Sequence, residues 1–515
     1  MKAEPVPTLQ PVFLALLPGA LVLTGWHGAG VLLNLIGVGT GTAIALLLMP
    51  SEAQSRWQRL RTRQGAWLAA LLLGLALPPA LPLWLCVAGG ALAVAARQNR
   101  MVAVNPAMLA YALLLLVFPL AMSRWPLAGV APAELQESLR AVLGLLPEQR
   151  LDALSGATAL EQLRADTAHT VAELRASEPS FGAWGARGIE WANAAFLAGG
   201  LWLAWRGLVA WRLPAAMLGT LFLLALFGND GGSSASRGPA LFHLFSGGTM
   251  LAAFFVLTEP RGAPRSAPGQ WLCGALAGLL VYAMRNGGAW PDGIAFAVLA
   301  LNAVAPALDW PRPLLNAPQA AAHSDGRALP LVARAALLLL ALAPFWREPA
   351  MSRESAADPL AWMASLDTLQ GSEIRAFPVQ DAMRLGLGET DTGYRAIRDG
   401  RVQGVLLPLV APQGYGGPIR LWLALDPTGR VLGVRVIAHA ESPAFVEPQI
   451  TATDGWLAGF RGRGLADTRW RLRREGGDFD AFSGASITPR AVVAGLEGGL
   501  QYFRENRERL LDPTR

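Results

Sequence analysis

Asp152-Ala-Leu-Ser155-Gly156-Ala157-Thr158 and Asp480-Ala-Phe-Ser483-Gly484-Ala485-Ser486 each set a hydroxyl behind the same Ser-Gly-Ala tripeptide, with an aspartate six residues before it. A side-chain hydroxyl behind two small residues is suited to accept a transferred group, because Gly-Ala keeps an extended loop thin enough to enter another enzyme's active site. The aspartate is a metal-binding or orienting group during such a transfer. An ordinary Ser/Gly turn explains either copy alone. Two copies with the same aspartate spacing are much harder to reach by chance in one chain.

A hydroxyl so placed can be esterified to the phosphate of FMN by a dedicated flavin transferase. Thr158 and Ser486 are then the two attachment residues, and the chain is expected to carry two covalent FMN groups. Linkage through phosphate leaves the isoalloxazine ring able to carry one or two electrons, so the protein supplies position and retention.

Composition sets the surroundings of these loops. Hydrophobic residues make up 53% of 515 and charged residues 16%, with a mean hydropathy of +0.36, which is too apolar for an ordinary soluble enzyme. Apolar segments fall at 11–26, 29–49, 66–80, 81–96, 103–122, 189–205, 213–228, 240–257, 269–284, 292–308 and 329–346. The fold class expected is a polytopic α-helical membrane protein: about ten spans in two inverted five-span halves, one further span, and a C-terminal extracytoplasmic α+β flavin domain. Segments of about 16 residues, such as the pair around Pro78, Pro79 and Pro82, are too short for an upright crossing and predict broken or paired half-helices.

Arginines give the orientation. With a cytoplasmic N-terminus, the inner ends carry Lys2, Arg56, Arg59, Arg61, Arg63, Arg97, Arg100, Arg206, Arg212, Arg261, Arg265, Arg312, Arg327 and Arg334, and the short outer loops only Arg237 and Arg285. This bias also accounts for the net charge of +6 without a nucleic-acid partner. The resulting layout is a membrane domain over 1–310 with an outer flavin loop at 123–187. A cytoplasmic linker follows at 311–328, then a transmembrane anchor at 329–346 and an extracytoplasmic flavin domain at 347–515. Both acceptor hydroxyls lie on one face, the periplasmic side of a bacterial inner membrane, where a covalent tether prevents loss of the flavin.

In the tail, Arg420–Leu425 and Val431–Ile437 alternate across Asp426-Pro-Thr-Gly429 and predict a β-hairpin. Residues from Ala491 to Leu510 predict a helix with Val492, Val493, Leu496, Leu500 and Phe503 inward. Other chemistry is sparse. Cys86 and Cys273 fall inside spans, so the chain cannot ligate an iron–sulfur cluster by itself. His243 reads as a buried, satisfied group in preference to a redox or proton relay, and Asp292, Glu259 and Asp309 stand at span ends where capping competes with cation binding. Asn105-Pro106 and Asn302 with Pro306 are the best corresponding polar breaks of the two halves, readable as packing amides or as a midplane site.

These residues carry a family resemblance. Asn105-Pro-Ala-Met108, the Ser155–Thr158 loop, Trp211-Arg-Leu-Pro214, Phe245-Ser-Gly-Gly-Thr-Met250 with Phe255, Thr258-Glu-Pro260, and Pro291–Leu299 with Asn302 resemble the D subunit of Rnf-type electron transport complexes. They are also similar to the related B subunit of the sodium-translocating NADH:quinone reductase. Gly414-Tyr415-Gly-Gly-Pro-Ile419, Gly433–Pro443 and Asp480–Val493 resemble the G subunit of the same complexes, which is related to the C subunit of the reductase. The chain resembles a natural D–G fusion. The resemblance implies phosphoester-linked FMN at Thr158 and Ser486, with Tyr415, His439 and Glu441 as contacts of the second flavin, and a noncovalent riboflavin or FMN in the membrane domain.

Two departures accompany it. Ser442-Pro-Ala-Phe-Val446 replaces a glycine-containing loop, and Arg97-Gln-Asn-Arg-Met-Val-Ala-Val104 replaces a glycine-rich stretch where the noncovalent flavin would sit. The expected function is a membrane electron-transfer subunit within a complex that couples ferredoxin and NAD redox chemistry to sodium or proton translocation. Its implied partners are the iron–sulfur and NAD-binding subunits, the flavin transferase and membrane lipid. A stand-alone conduit exporting electrons to extracytoplasmic reductases, or a transporter-like channel with regulatory flavins, are the other classes the sequence admits.

Overall fold

The computed structural model describes residues 9–49, 63–98, 104–126, 128, 132–147, 150–151, 154–165, 170–229, 238–260, 262–288, 290, 292–308, 338, 358–387, 391–414, 417–439, 455–481 and 487–513. The chain divides into two compact units, Met1–Arg347 and Glu348–Arg515.

Apolar helices build the first unit. In chain order they are α1 (Gln10–His27), α2 (Gly30–Leu48), α3 (Gln64–Ala76), α4 (Leu83–Gln98) and α5 (Pro106–Val117). A short turn of helix at Pro119–Met122 leads into a loop region whose described helices include α6 (Leu135–Val142), α7 (Ala159–Ala165) and α8 (Val171–Ser177). The second series is α9 (Ile189–Trp205), α10 (Arg212–Phe227), α11 (Ala240–Leu244), α12 (Ala267–Gly287) and α13 (Ile294–Leu308). Among the described residues, α2 and α12 are long and apolar enough to cross a bilayer, while α3, α4, α5, α10 and most of α13 are apolar but shorter. Along α1, Leu14, Leu17 and Leu21 form an exposed apolar stripe, a face suited to hydrocarbon. The segment 329–346, expected as a further span, lies outside the described residues apart from Leu338.

Packing repeats between the two series. α2 lies along α4 as α10 lies along α12, while α1 packs on α9 and α5 on α13 across the seam. Small residues permit the close pairs: a Cβ at Gly41 or Gly90 would meet the backbone of Val87 or Val38, and one at Gly274 or Gly278 that of Leu213 or Met217. Without a hydrophobic drive between helices in lipid, such close backbone approach is what holds them together. Asn105 and Asn302, singled out as corresponding breaks, bond one another at the seam. The Asn105 N–H donates to Asn302 Oδ1 at 2.8 Å, and Asn105 Nδ2 donates to the Val256 carbonyl at 3.2 Å. Their role here is to join the two series.

Around Pro78, where broken or paired half-helices are expected, α3 and α4 are short helices that meet at Leu77–Pro82, whose Leu77 and Pro78 carbonyls accept hydrogen bonds from Asn34 Nδ2. The continuous span expected at 240–257 is broken instead. α11 stops at Leu244, and the chain re-enters helix at Thr249 and continues as a π turn over Ala252–Val256, with Gly247 at φ +59 in between. Non-helical backbone buried among packed helices persists only where protein satisfies its polar groups, and a buried arginine does so. Arg285, assigned above to an outer loop, lies in the last turn of α12 with its side chain 2% exposed. It donates to the carbonyls of His243 at 2.5 Å and Ser246 at 3.1 Å and to Thr249 Oγ1 at 2.8 Å, and its Nη2 stands 3.5 Å from Asp292 Oδ1. Hydropathy cannot see this use of a charge, because the demand for it comes from a helix break on another element. Asp292 Oδ2 accepts the Gly248 N–H at 2.9 Å, and Glu259 pairs with Arg97 at 3.0 Å, so both carboxylates serve structural roles. Asp309 lies outside the described residues.

The second unit is an antiparallel meander of β1 (Glu373–Pro378), β2 (Thr392–Arg398), β3 (Arg401–Ala411), β4 (Ile419–Leu425) and β5 (Val431–Ala438), in that spatial order. The expected hairpin is β4–β5, registered from Arg420 opposite Ala438 to Leu425 opposite Val431. Its turn is fixed by Asp426 Oδ1, which accepts from Thr428 N, Thr428 Oγ1 and Arg430 N, and by Gly429 at φ +88. One face of the sheet is covered by α14 (Pro359–Ser365), where Trp362 stacks on Trp422, and the other by α15 (Ile487–Glu505), whose Val492, Val493, Leu496, Leu500 and Phe503 are buried. This last helix begins four positions before the expected Ala491 and ends at Glu505, with a separate turn at Arg507–Leu510.

Candidate functional site

Ser155, Gly156, Ala157 and Thr158 run in sequence into the start of α7. The Gly156 N–H donates to the Trp125 carbonyl at 2.9 Å, and Pro126 and Ser155 form an antiparallel bridge, so the loop is pinned to the end of the first helical series. Beyond it, Gln162 donates to the Ala157 carbonyl and accepts from Ser180 Oγ. Behind α7 lies a small core of Ala159, Leu160, Leu163, Val171, Leu174, Phe181 and Phe242, which seats the loop helices on α11. Asp152 lies outside the described residues.

Thr158 occupies the boundary between two cavities. The outer one has a volume of about 760 Å³ and is walled by Trp26, His27, Trp125, Arg175, Phe181 and Glu190 among others. Its size falls within the range of small-molecule sites. Its far wall is the 180–190 segment, which Glu190 shapes by accepting backbone N–H groups from Ala183, Trp184 and Gly185 at 3.3, 3.0 and 3.0 Å. Ser246 Oγ accepts the Ala186 N–H at 3.0 Å, tying that wall to the broken helix. The inner cavity, about 180 Å³, is mostly apolar and is lined by Met108, Tyr111, Phe196, Val256 and Trp290, with Thr158, Glu161, Asn193 and Asp292 as polar members.

Glu161 is the hydrogen-bonded neighbour of Thr158 that motif reading missed. Thr158 Oγ1 donates to Glu161 Oε2 at 2.9 Å, the Thr158 N–H donates to the same oxygen at 2.7 Å, and the Glu161 N–H donates back to Oγ1 at 3.3 Å. This is the reciprocal arrangement of a capping box, and its signature, a threonine followed three residues later by glutamate, is legible in Thr158-Ala-Leu-Glu161. Burial raises the Glu161 carboxyl above its usual range, against the two Thr158 hydrogen bonds that lower it.

The second motif is described only at its edges. Asp480 is exposed, with its carboxylate 3.3 Å from Arg473 Nε and its carbonyl accepting Trp456 Nε1 at 2.7 Å. His439 is buried directly after β5. The helix α15 begins at Ile487, the residue after Ser486 in sequence, as α7 begins directly after Thr158. Tyr415, Glu441, Ser483, Gly484, Ala485, Ser486 and the divergent 442–446 loop lie outside the described residues, as do positions 99–103 of the altered stretch before Val104.

Residues 7–313 match the family described as NQR2, RnfD, RnfE, and residues 414–501 match the FMN-binding domain. Among similar proteins, the D subunit of the ion-translocating oxidoreductase complex of Pseudomonas paraeruginosa is 45% identical over 305 residues, covering 58% of this chain and 87% of that protein. The D subunits of the same complex from Ectopseudomonas mendocina and Alcanivorax borkumensis are 39% and 38% identical, over 88% and 89% of their lengths and 58% and 59% of this one. The first family match lies within the first unit, and the FMN-binding match lies wholly within the second.

Proposed function

Because the chain belongs to the NQR2, RnfD, RnfE family and carries an FMN-binding domain behind that membrane domain, we propose that it is the fused flavin-bearing subunit of an ion-translocating oxidoreductase complex. Thr158 and Ser486 each carry a phosphoester-linked FMN. The observation that carries the reading is the position of Thr158, whose hydroxyl ends the first Ser-Gly-Ala repeat and lines both the outer cleft and the inner apolar cavity. The residues around it fit a flavin nucleotide. Trp26 and Trp125 offer aromatic faces, Arg175 offers a cation for an anionic group, and the volume suits a ligand of that class. When attached, the flavin supplies the electron-carrying chemistry. The chain's own residues hold it at the boundary between cleft and membrane interior.

The arginine distribution supports an extracytoplasmic location for the 123–187 loop and for residues 347–515, with 311–328 cytoplasmic and 329–346 crossing between them. Two series of five helices with the same internal pairing support an inverted repeat, since an odd number of crossings reverses the second half. Fusion of the two flavin domains fixes their ratio at one to one and limits their separation. The iron–sulfur and NAD-binding steps fall to partner subunits, and coupling to sodium or proton movement belongs to the assembled complex.

The complex is tested by purifying the tagged full-length chain from its native membranes. Subunits with iron–sulfur absorbance should accompany it, and the preparation should catalyse electron exchange between ferredoxin and NAD that builds an ion gradient in vesicles. Isolation without those subunits, with electron delivery only to extracytoplasmic acceptors, would replace the complex by a stand-alone conduit.

A further inference from the structure

The reciprocal Thr158–Glu161 contact has a near duplicate in the same loop. Thr170 Oγ1 donates to Glu173 Oε2 at 2.9 Å, its N–H donates to that oxygen at 2.7 Å, and the Glu173 N–H returns a bond of 3.2 Å. That copy is exposed, opens α8 and acts as a helix cap. The first copy has different surroundings. Both Thr158 and Glu161 line the inner cavity, and Thr158 also faces the outer cleft. Desolvation holds the Glu161 carboxyl above the usual range, and a carboxylate in that condition takes a proton more readily than a solvated one. The acceptor hydroxyl therefore already points its proton at a basic oxygen.

We propose that Glu161 is the general base for flavin attachment at Thr158. This rests on the covalent-flavin reading of Thr158 and adds the group that activates the hydroxyl. The donor is a flavin dinucleotide such as FAD, presented by the transferase. Thr158 Oγ1 forms a bond to the phosphorus of the FMN half, and the bond from that phosphorus to the bridging pyrophosphate oxygen breaks. The electron pair leaves with AMP, and the Oγ1 proton moves to Glu161 Oε2. The diester has no O–H left to offer, and the protonated Glu161 then donates where an ionised carboxylate would repel the new negative charge. Ser486, a primary and less hindered hydroxyl, has Pro489 at the matching position and attaches its flavin without such a group.

Full-length chain prepared without transferase, then incubated with transferase and FAD, gives the test, with the label at each site followed by peptide mass spectrometry over time. Glu161→Gln keeps a capping acceptor but takes no proton, and labelling of Thr158 is expected to slow by at least about 100-fold. Labelling of Ser486 in the same molecules stays at the wild-type rate, which also reports a folded chain. Glu161→Asp should recover part of the rate, and Glu173→Gln should change neither site. Wild-type labelling of Thr158 in Glu161→Gln overturns the base assignment and leaves Glu161 a cap. No label at Thr158 in the wild type overturns the covalent-flavin reading itself.

Discussion

Thr158→Ala is expected to reduce ferredoxin-dependent NAD reduction in membranes to background while the chain stays folded and assembled. The substitution removes the proposed attachment oxygen and one helix cap. Loss of a threonine cap costs about 1 kcal/mol, small against the stability of a membrane domain packed through ten apolar segments, so melting should shift by only a few degrees. Thr158→Ser retains a hydroxyl at the same place and should restore most of the activity. Cofactor loss and structural loss are thereby separable. Wild-type electron transfer in Thr158→Ala would remove Thr158 from the pathway.

Arg285→Met is expected to have the largest effect on stability. The guanidinium serves two carbonyls, a hydroxyl and Asp292 at the break between α11 and Thr249. Methionine fills the volume and supplies no donors. Removing one partner from a buried charged network costs about 3–5 kcal/mol, because the remaining groups lose solvent and partner together. Arg285→Lys should rescue little, since an ammonium cannot reproduce the planar fork that reaches the His243 and Ser246 carbonyls at once. Thermal melting in detergent, read by size-exclusion of the surviving peak, should show most of the variant lost where wild type remains. Unchanged melting would mean that the broken helix is held by Asn193, which also bonds Gly247 and Met250.

Much of the fold was legible because it depends on local periodicity and apolar length. Ten apolar segments read from hydropathy coincide with α1–α5 and α9–α13, the eighth as α11 and its continuation, and the β4–β5 hairpin follows from alternation across Asp426–Gly429. What escaped is non-local. Arg285 looks like a loop arginine by its position near a span end, and only the break at Phe245–Gly248, supplied by another segment, makes it a buried partner. α15 starts at Ile487, four positions before the expected Ala491, and takes Pro489 into its first turn, where proline is tolerated. Within the site, the repeated tripeptide was visible but its surroundings were not. The two cavities beside Thr158 draw walls from α1, α5, α9 and the 180–190 loop, which no window of sequence brings together. Glu161 was within reach of reading, since its spacing from Thr158 is a capping signature.

The central claim, two flavins on two hydroxyls of one chain, is tested most directly by ultraviolet fluorescence of the chain on a denaturing gel. Wild type, Thr158→Ala, Ser486→Ala and the double variant are compared after expression with the transferase. Each single variant is expected to lose part of the signal and the double variant all of it. A fluorescent double variant would contradict the assignment.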